Sequence, residues 1–295
     1  MQAIAIFGPT AVGKTAIAIA VADELRARGE DPVAVGCDSI QVYRGLEALS
    51  GAPTAAEREQ LEHRLVGIAD SGHEFSAGQF AELARAEIDG LLESSRRPLI
   101  VGGTGLYLRA ALADLQMRPP VPAVVREQVE GEIAERGPDA LHAELPPELA
   151  SGVHPNDRKR VSRLTELTRL GIAPHGATDG LWTERLRHPT ALFGIVMDRN
   201  ELHRRIDHRV DAIVAAGAPS EVARAHAAGA SRTARAAIGF AELQNGDVEA
   251  MKRAQRAFAR RQLTWMRRMP HVRLIDRTGR SETELAAEIV AELAD

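Results

Sequence analysis

Ala3-Ile4-Ala5-Ile6-Phe7 runs directly into Gly8-Pro9-Thr10-Ala11-Val12-Gly13-Lys14-Thr15, and this stretch decides the fold. Five consecutive apolar residues read as a strand buried on both faces, and the octapeptide after them matches G-x-x-x-x-G-K-[ST]. Thr15 to Arg28 then reads as a helix, with Ile17, Val21 and Leu25 at spacings of four. In a strand–loop–helix context the backbone N–H groups of Gly8, Thr10, Ala11 and Gly13, with the helix N-terminus, form a nest for a di- or triphosphate. Lys14 is expected to reach the terminal phosphates and the Thr15 hydroxyl to ligate Mg²⁺.

Working outward, a second buried strand spans Val33 to Cys37 and stops at Asp38-Ser39. A helix over Ser76–Leu92 follows, with Phe80, Leu83, Ile88 and Leu91 as its apolar stripe. A third strand, Pro98–Val101, ends in Gly102-Gly103-Thr104-Gly105 and leads into another helix. Strands alternating with helices through Gly-rich turns predict an α/β fold, a P-loop NTPase-like parallel sheet flanked by helices, with ligands at the strands' carboxyl ends. The rhythm breaks at Arg118-Pro119-Pro120-Val121-Pro122. Helices are expected at Ala123–Arg136, Asp139–Leu145 and Pro155–Leu170, punctuated by prolines that include Pro146, Pro147 and Pro174. Residues 119–186 therefore read as an inserted all-helical domain between core segments 1–118 and 187–295. The second core segment is expected to hold a strand at Ala191–Met197, helices at Asn200–Ala216 and Val248–Met269, a strand at Val272–Ile275 and a helix at Glu282–Leu293.

The chain has 295 residues, one cysteine, 37 Lys+Arg and 41 Asp+Glu, for a net charge of −4. A single cysteine excludes a disulfide framework and a thiolate zinc site. No apolar run approaches the length of a membrane span and no secretory signal is evident, so a cytoplasmic protein without membrane contact is expected. The net charge conceals a partition. Residues 1–153 carry 13 basic and 23 acidic side chains, residues 154–280 carry 24 and 13, and the last fifteen carry five acids and no base. An excess of +11 in one region points to a polyanion partner.

Asp38, beyond a buried strand and level with the phosphate loop, is a candidate general base; a helix cap or a second-shell metal ligand is the alternative. Thr104 is placed to hydrogen-bond a bridging or leaving oxygen, or else simply caps a tight turn. A nucleoside-triphosphate hydrolase or kinase usually adds an Asp closing a later strand, yet Leu99-Ile100-Val101 closes on Gly102-Gly103. Arg205 and Arg209 lie four apart on one helical face, where two guanidiniums suit a pyrophosphate, although Asp207 and Asp211 are near enough to pair with them instead. In the Lys252–Arg268 stretch, Arg253, Arg256, Arg260 and Arg267 fall on one stripe and Met251, Ala254, Phe258, Trp265 and Met269 on another, which fits a helix facing phosphates or a solvated charged helix. His154 to Arg160, with Arg163, forms a companion basic cluster. Few aromatics argue against a base-stacking platform. Histidines 63, 142, 154, 175, 203, 208 and 226 show no ligand spacing and read as structural or surface residues.

Taken together, these segments resemble the tRNA dimethylallyltransferases, also called isopentenyl-tRNA transferases. The resemblance rests on GPTAVGKT at 8–15, DSIQVYRG at 38–45, FSAGQF at 75–80, PLIVGGTGLYLRA at 98–110, HPNDRKRVSR at 154–163, DRNELHRRIDHRV at 198–210, AAIGFAEL at 236–243 and RRQLTW at 260–265. It implies transfer of a dimethylallyl group from dimethylallyl diphosphate to the exocyclic amine of the adenosine 3′ of the anticodon. It further implies that the phosphate loop holds a diphosphate with Mg²⁺ at Thr15, that Asp38 takes the amine proton, and that Thr104, Lys14, Arg205 and Arg209 stabilise the departing diphosphate. The helical insertion is similar to the domain that clasps the anticodon stem-loop. Ser39, Gln41, Arg158, Lys159, Arg160, Arg163, Arg256 and Arg260 are the implied tRNA contacts, on a monomeric enzyme. Departures stand at Leu49–Thr54, at His63-Arg64-Leu65, at Phe240-Ala241 and at Gln255. The rival readings are a P-loop small-molecule kinase, an adenylate prenyltransferase acting on a free nucleotide, and a non-enzymatic RNA-binding module that senses nucleotide.

Overall fold

A computed structural model describes residues 1–115, 117, 119–172 and 181–293. Arg118, Pro174 and His175, singled out above, lie outside the described residues. The chain divides into two compact units, Met1–Asp114 with Leu181–Asp295, and Leu115–Gly180. The second begins and ends several residues earlier than the 119–186 read from the prolines.

The first unit opens with β1 (Ala3–Phe7), α1 (Lys14–Ala27), β2 (Pro32–Cys37), β3 (Tyr43–Arg44), α2 (Glu47–Ser50), α3 (Ala55–Gln60), β4 (His63–Arg64), β5 (Ala69–Asp70), α4 (Ala77–Glu93), β6 (Arg97–Gly102) and α5 (Gly105–Leu112). The second unit is helical, with α6 (Ala123–Arg136), α7 (Pro138–Ala143), α8 (Pro147–Ala150) and α9 (Arg158–Arg169) around Val129, Ile133, Leu141 and Val161. The first unit resumes with β7 (Thr190–Val196), α10 (Arg199–Ala215), α11 (Ala218–Ala227), α12 (Arg232–Arg235), α13 (Phe240–Gln244), α14 (Val248–Met266), β8 (Arg273–Asp276) and α15 (Glu282–Ala291).

The main sheet runs β4-β2-β6-β1-β7-β8, and every pairing within it is parallel. Its apolar strands explain this, because a sheet covered by helices on both faces needs apolar residues on both. Along β1 the alternation is visible. Ala3, Ala5 and Phe7 face a layer with α4, α5 and α11, while Ile4 and Ile6 face one with α1 and α15. Each fully buried Ile or Leu contributes roughly 1.5–3 kcal/mol. Cys37, last in β2, is the sole cysteine and is fully buried. β1 sits at the centre between β6 and β7, so the loops after β1, β2 and β6 emerge side by side at one edge.

Two expectations about helix faces are corrected. Leu83 on α4 is 42% exposed; Phe80, Ala81, Ala84, Ile88 and Leu91 form the buried face. The small alanines allow close approach to α5, where Phe80 stacks on Tyr107 at 4.3 Å between ring centroids. On α14 the buried line is Met251, Gln255, Ala259, Gln262 and Met266, not the all-apolar stripe read from the sequence. Ala254, Phe258 and Trp265 flank it half-buried.

Candidate active site

The loop between β1 and α1 commits two amides within the protein, Thr10 N–H to Gln262 Oε1 (2.8 Å) and Val12 N–H to Pro9 O (3.4 Å), and leaves those of Ala11 and Gly13 for a ligand. Ala11 has φ 64° and Gly13 φ 90°, both left-handed, and such alternation turns successive N–H groups to one side. For Ala11 that conformation costs about 1 kcal/mol, which the surrounding contacts must offset. The carbonyls on the other side are each held by a cation. Lys14 Nζ donates to Gly8 O (3.1 Å) and Pro9 O (2.9 Å), Arg205 Nε to Ala11 O (3.1 Å) and Arg277 to Val12 O (2.6 Å). Helix α1 has no side-chain cap and no acid in its first turn, so its N-terminal donors and dipole are open to an anion. Gly13 is required twice over, by its φ and because a Cβ there would lie 1.9 Å from the Arg277 guanidinium.

Lys14 carries a lowered pKa, down to about 8, chiefly through burial and also through the nearby Arg209 charge, with Asp38 acting in the opposite sense. A bound diphosphate would restore the ammonium. The Thr15 hydroxyl makes no hydrogen bond among the described residues, so it is free for a cation. One hydroxyl with phosphate oxygens and water suits Mg²⁺, which keeps few protein ligands. No cluster of three or more His, Cys, Asp or Glu able to hold a metal occurs among the described residues.

Asp38 follows β2 and its Oδ1 accepts the amides of Ile40 (2.9 Å) and Gln41 (3.4 Å). No helix follows Asp38, so it closes a turn rather than capping a helix; this engages one oxygen and leaves Oδ2 for a proton. Thr104 does not cap its own helix; its Oγ1 accepts Ser39 N–H at 3.3 Å. That bond ties the β6 loop to the residue after Asp38. Gln41 turns away from this cluster and donates to Gly51 O at 3.1 Å.

Arg205 and Arg209 do not form the ladder with Asp207 and Asp211. Those acids pair with α14 instead, Asp207 with Arg256 (3.2 Å) and Asp211 with Lys252 (2.8 Å). Arg209 reaches Ser50 O at 3.2 Å, its Nε is buried without a partner, and burial lowers its pKa. Burial and the Arg277 charge act the same way on Arg205. The departure at Leu49–Thr54 thus forms part of the Arg209 seat. A cavity of about 490 Å³ opens between the phosphate loop and α10, lined by Ala11, Gly13, Arg204, Arg205, His208 and Arg209. Its size suits a small ligand and its lining suits an anion. His208 lines this cavity and is exposed, in keeping with its reading as a surface residue.

The structure brings Gly8–Thr15, Asp38, Ser39, Thr104, Arg205 and Arg209 to one edge of the sheet. Arg256 and Arg260 lie on α14, where Arg256 is half-buried in its ion pair and Arg260 is exposed. The second unit carries its own basic face on α9. Arg158 and Lys159 are exposed, Arg160 pairs with Asp157 (3.5 Å) and Arg163 with Glu166 (3.0 Å). Two residues at the loop escaped the sequence reading. Arg277, after β8, is 4% exposed, pairs with Glu282 and has a buried, unpartnered Nε. Gln262 on α14 is 3% exposed and bridges two loops. A long-range contact leaves no local pattern; the signals for Gln262 are its place in RRQLTW at 260–265 and a polar residue at a core-facing position of α14.

Comparison with known proteins places the chain in a family. The model of the IPP transferase family matches residues 41–269 and that of isopentenyl transferase matches 1–74. The tRNA dimethylallyltransferase of Anaeromyxobacter dehalogenans is 40% identical over 282 residues, covering 91% of this chain and 92% of its own. That of Thermobifida fusca is 35% identical over 306 residues, covering 99% and 95%. Among solved structures, the tRNA isopentenylpyrophosphate transferase of Bacillus halodurans superposes with a TM-score of 0.72 at 30% identity, over 99% of this chain and 95% of that one. A eukaryotic dimethylallyltransferase acting on tRNA shares the fold, with a TM-score of 0.74 at 23% identity over 94% and 74% of the two chains.

Proposed function

Since the chain belongs to the tRNA dimethylallyltransferase family, we propose that it transfers a dimethylallyl group from dimethylallyl diphosphate to the exocyclic amine of the adenosine 3′-adjacent to the anticodon, releasing diphosphate. The observation that carries the reading is the adjacency of three loops. An anion nest stands beside a carboxylate with one free oxygen, and the threonine joined to the residue after that carboxylate follows a strand that ends without an acid. A phosphoryl-transfer site would place an acidic metal ligand where Gly102-Gly103 stand.

In this reading the diphosphate lies on the amides of Ala11 and of Gly13 to Thr15, against Lys14, Arg205 and Arg209. The amine nitrogen forms a bond to the allylic C1 as the C1–O bond breaks and its electron pair leaves with the diphosphate. Asp38 Oδ2 takes the amine proton, which an adenine amine, a poor nucleophile, needs positioned close by. Thr104 faces the leaving oxygen, and the arginines meet the negative charge that develops there. Bound at Thr15, Mg²⁺ would add neutralisation of the diphosphate. Because the acceptor base is stacked in its loop, it must swing out to reach Asp38. Ser39, Gln41, Arg256 and Arg260 on the first unit, and Arg158, Lys159, Arg160 and Arg163 on the second, are the proposed RNA contacts. No helix among the described residues is long and apolar enough to cross a membrane. One copy acting in the cytoplasm is the proposed working form.

The test is incubation with unmodified tRNA and either dimethylallyl diphosphate or ATP, followed by nucleoside mass analysis. Prenylated adenosine formed only with the allyl donor supports the reading, and phosphate transfer from ATP overturns it.

A further inference from the structure

The side-chain amide of Gln262 spans the gap between two of the loops that meet at the site. Its Oε1 accepts the backbone N–H of Thr10 at 2.8 Å, and its Nε2 donates to the carbonyl of Gly103 at 2.8 Å. The orientation is fixed by the partners, since a flipped amide would set N–H against N–H and oxygen against oxygen. Gln262 is 3% exposed, on a helix whose outer face is arginine-rich. Its approach to the β6 loop is close enough that a Cβ on Gly103 would fall 2.3 Å from Nε2, with Gly8 O at 3.3 Å and Lys14 Nζ at 3.5 Å from the same point. Gly103 precedes Thr104, Thr104 Oγ1 accepts Ser39 N–H, and Ser39 follows Asp38. One continuous path of bonds therefore joins the phosphate loop to the threonine and to the carboxylate.

We propose that Gln262 is a positioning residue for the transfer reaction, setting the separation between the diphosphate loop and the loop that carries Thr104. Four features support it. The contact joins backbone groups rather than side chains, so it controls where the loops lie and not merely how they pack. Both polar ends of the amide are used, and deleting them leaves a buried Gly103 carbonyl and the Thr10 N–H without partners. The amide of Thr10 is committed to Gln262 and that of Val12 to Pro9 O, so the diphosphate relies on the amides of Ala11 and of Gly13 to Thr15. And misplacement of reacting groups by an ångström is enough to cost large factors in rate.

The inference rests on the proposed prenyl transfer, and the wild-type protein in the same assay separates the two. Gln262→Met matches the side chain's length without its polar atoms. At saturating tRNA and dimethylallyl diphosphate its kcat is expected to fall at least tenfold, with KM for tRNA within twofold, measured on protein quantified by active-site titration and assayed well below its melting temperature. Gln262→Asn, which keeps the amide but is one methylene short, is the second variant should the first fail to fold, and is expected to lose at least fivefold in kcat. Loss confined to the melting temperature, or kcat within twofold of wild type in the folded variant, overturns the positioning role. No prenylation by the wild type overturns the reading of function instead.

Discussion

The Asp207 carboxylate on α10 stands 3.2 Å from the Arg256 guanidinium on α14, while Asp207 Oδ1 is buried with no partner of its own. Arg256 thus shares its charge with Asp207 and is the weaker of the two proposed RNA contacts, whereas Arg260, one turn on, is exposed. Arg260→Gln is expected to weaken tRNA binding severalfold and to reduce the slope of log affinity against log salt by about 1. Arg256→Gln should change tRNA affinity less and cost about 1–3 kcal/mol of stability, because it strands a half-buried acid. Filter binding across a salt series and thermal melts check the pair; equal losses of affinity would contradict the assignment.

Asp38→Asn keeps an oxygen for the amides of Ile40 and Gln41 but has no basicity. Turnover is expected to drop by about 10²–10⁴, the usual worth of a positioned base, with tRNA affinity within a few fold. Single-turnover prenylation and equilibrium binding on the same variant decide this, and near-normal turnover would remove Asp38 as the base.

The lowered pKa of Lys14, about 8, sets a direction for pH dependence. Below pH 8 the ammonium is charged before the anion arrives, so affinity for inorganic pyrophosphate should be flat with respect to this group. Above pH 8 the free protein holds a neutral amine and binding must take up a proton, so affinity should fall by up to about tenfold per pH unit until the bound-state pKa is reached. Calorimetry in buffers of different ionisation enthalpy measures that uptake directly. Lys14→Met should abolish it.

Gly51 has φ 58°, and a Cβ there would lie 2.0 Å from the Arg209 guanidinium. Gly51→Ala is expected to displace Arg209, lowering stability by about 1–3 kcal/mol and raising KM for the allyl diphosphate more than KM for tRNA. Steady-state kinetics with each substrate varied in turn would show the asymmetry.

Much of this is legible in the sequence. The unbroken apolar runs of β1, β2 and β6, each followed by glycine or Asp, could hardly be anything but central parallel strands, and the loops they carry define the site. What escaped the sequence was set by partners far along the chain. The short β3, β4 and β5 are two-residue pairings without enough length for periodicity. Asp207 and Asp211 lie at helical spacing from Arg205 and Arg209, and only the packing of α14 against α10 decides that they pair elsewhere. Gln262 lies 252 positions from Thr10 and Arg277 lies 265 from Val12, distances at which no motif survives. Leu83 is exposed where the stripe predicts burial, because helical spacing cannot distinguish a leucine from the alanine beside it when the neighbouring helix requires the smaller residue.

The complete burial of Cys37, with its thiol pushed far above the ordinary range by its surroundings, has a practical side. Maleimide and iodoacetamide reagents should find no target on the folded wild-type chain, despite a sulfur one residue from Asp38. A cysteine introduced on the exposed face of α9 or α14 would then be the only one to accept a fluorophore or spin label. The native sequence is already its own unreactive background for measuring distances and motions spectroscopically.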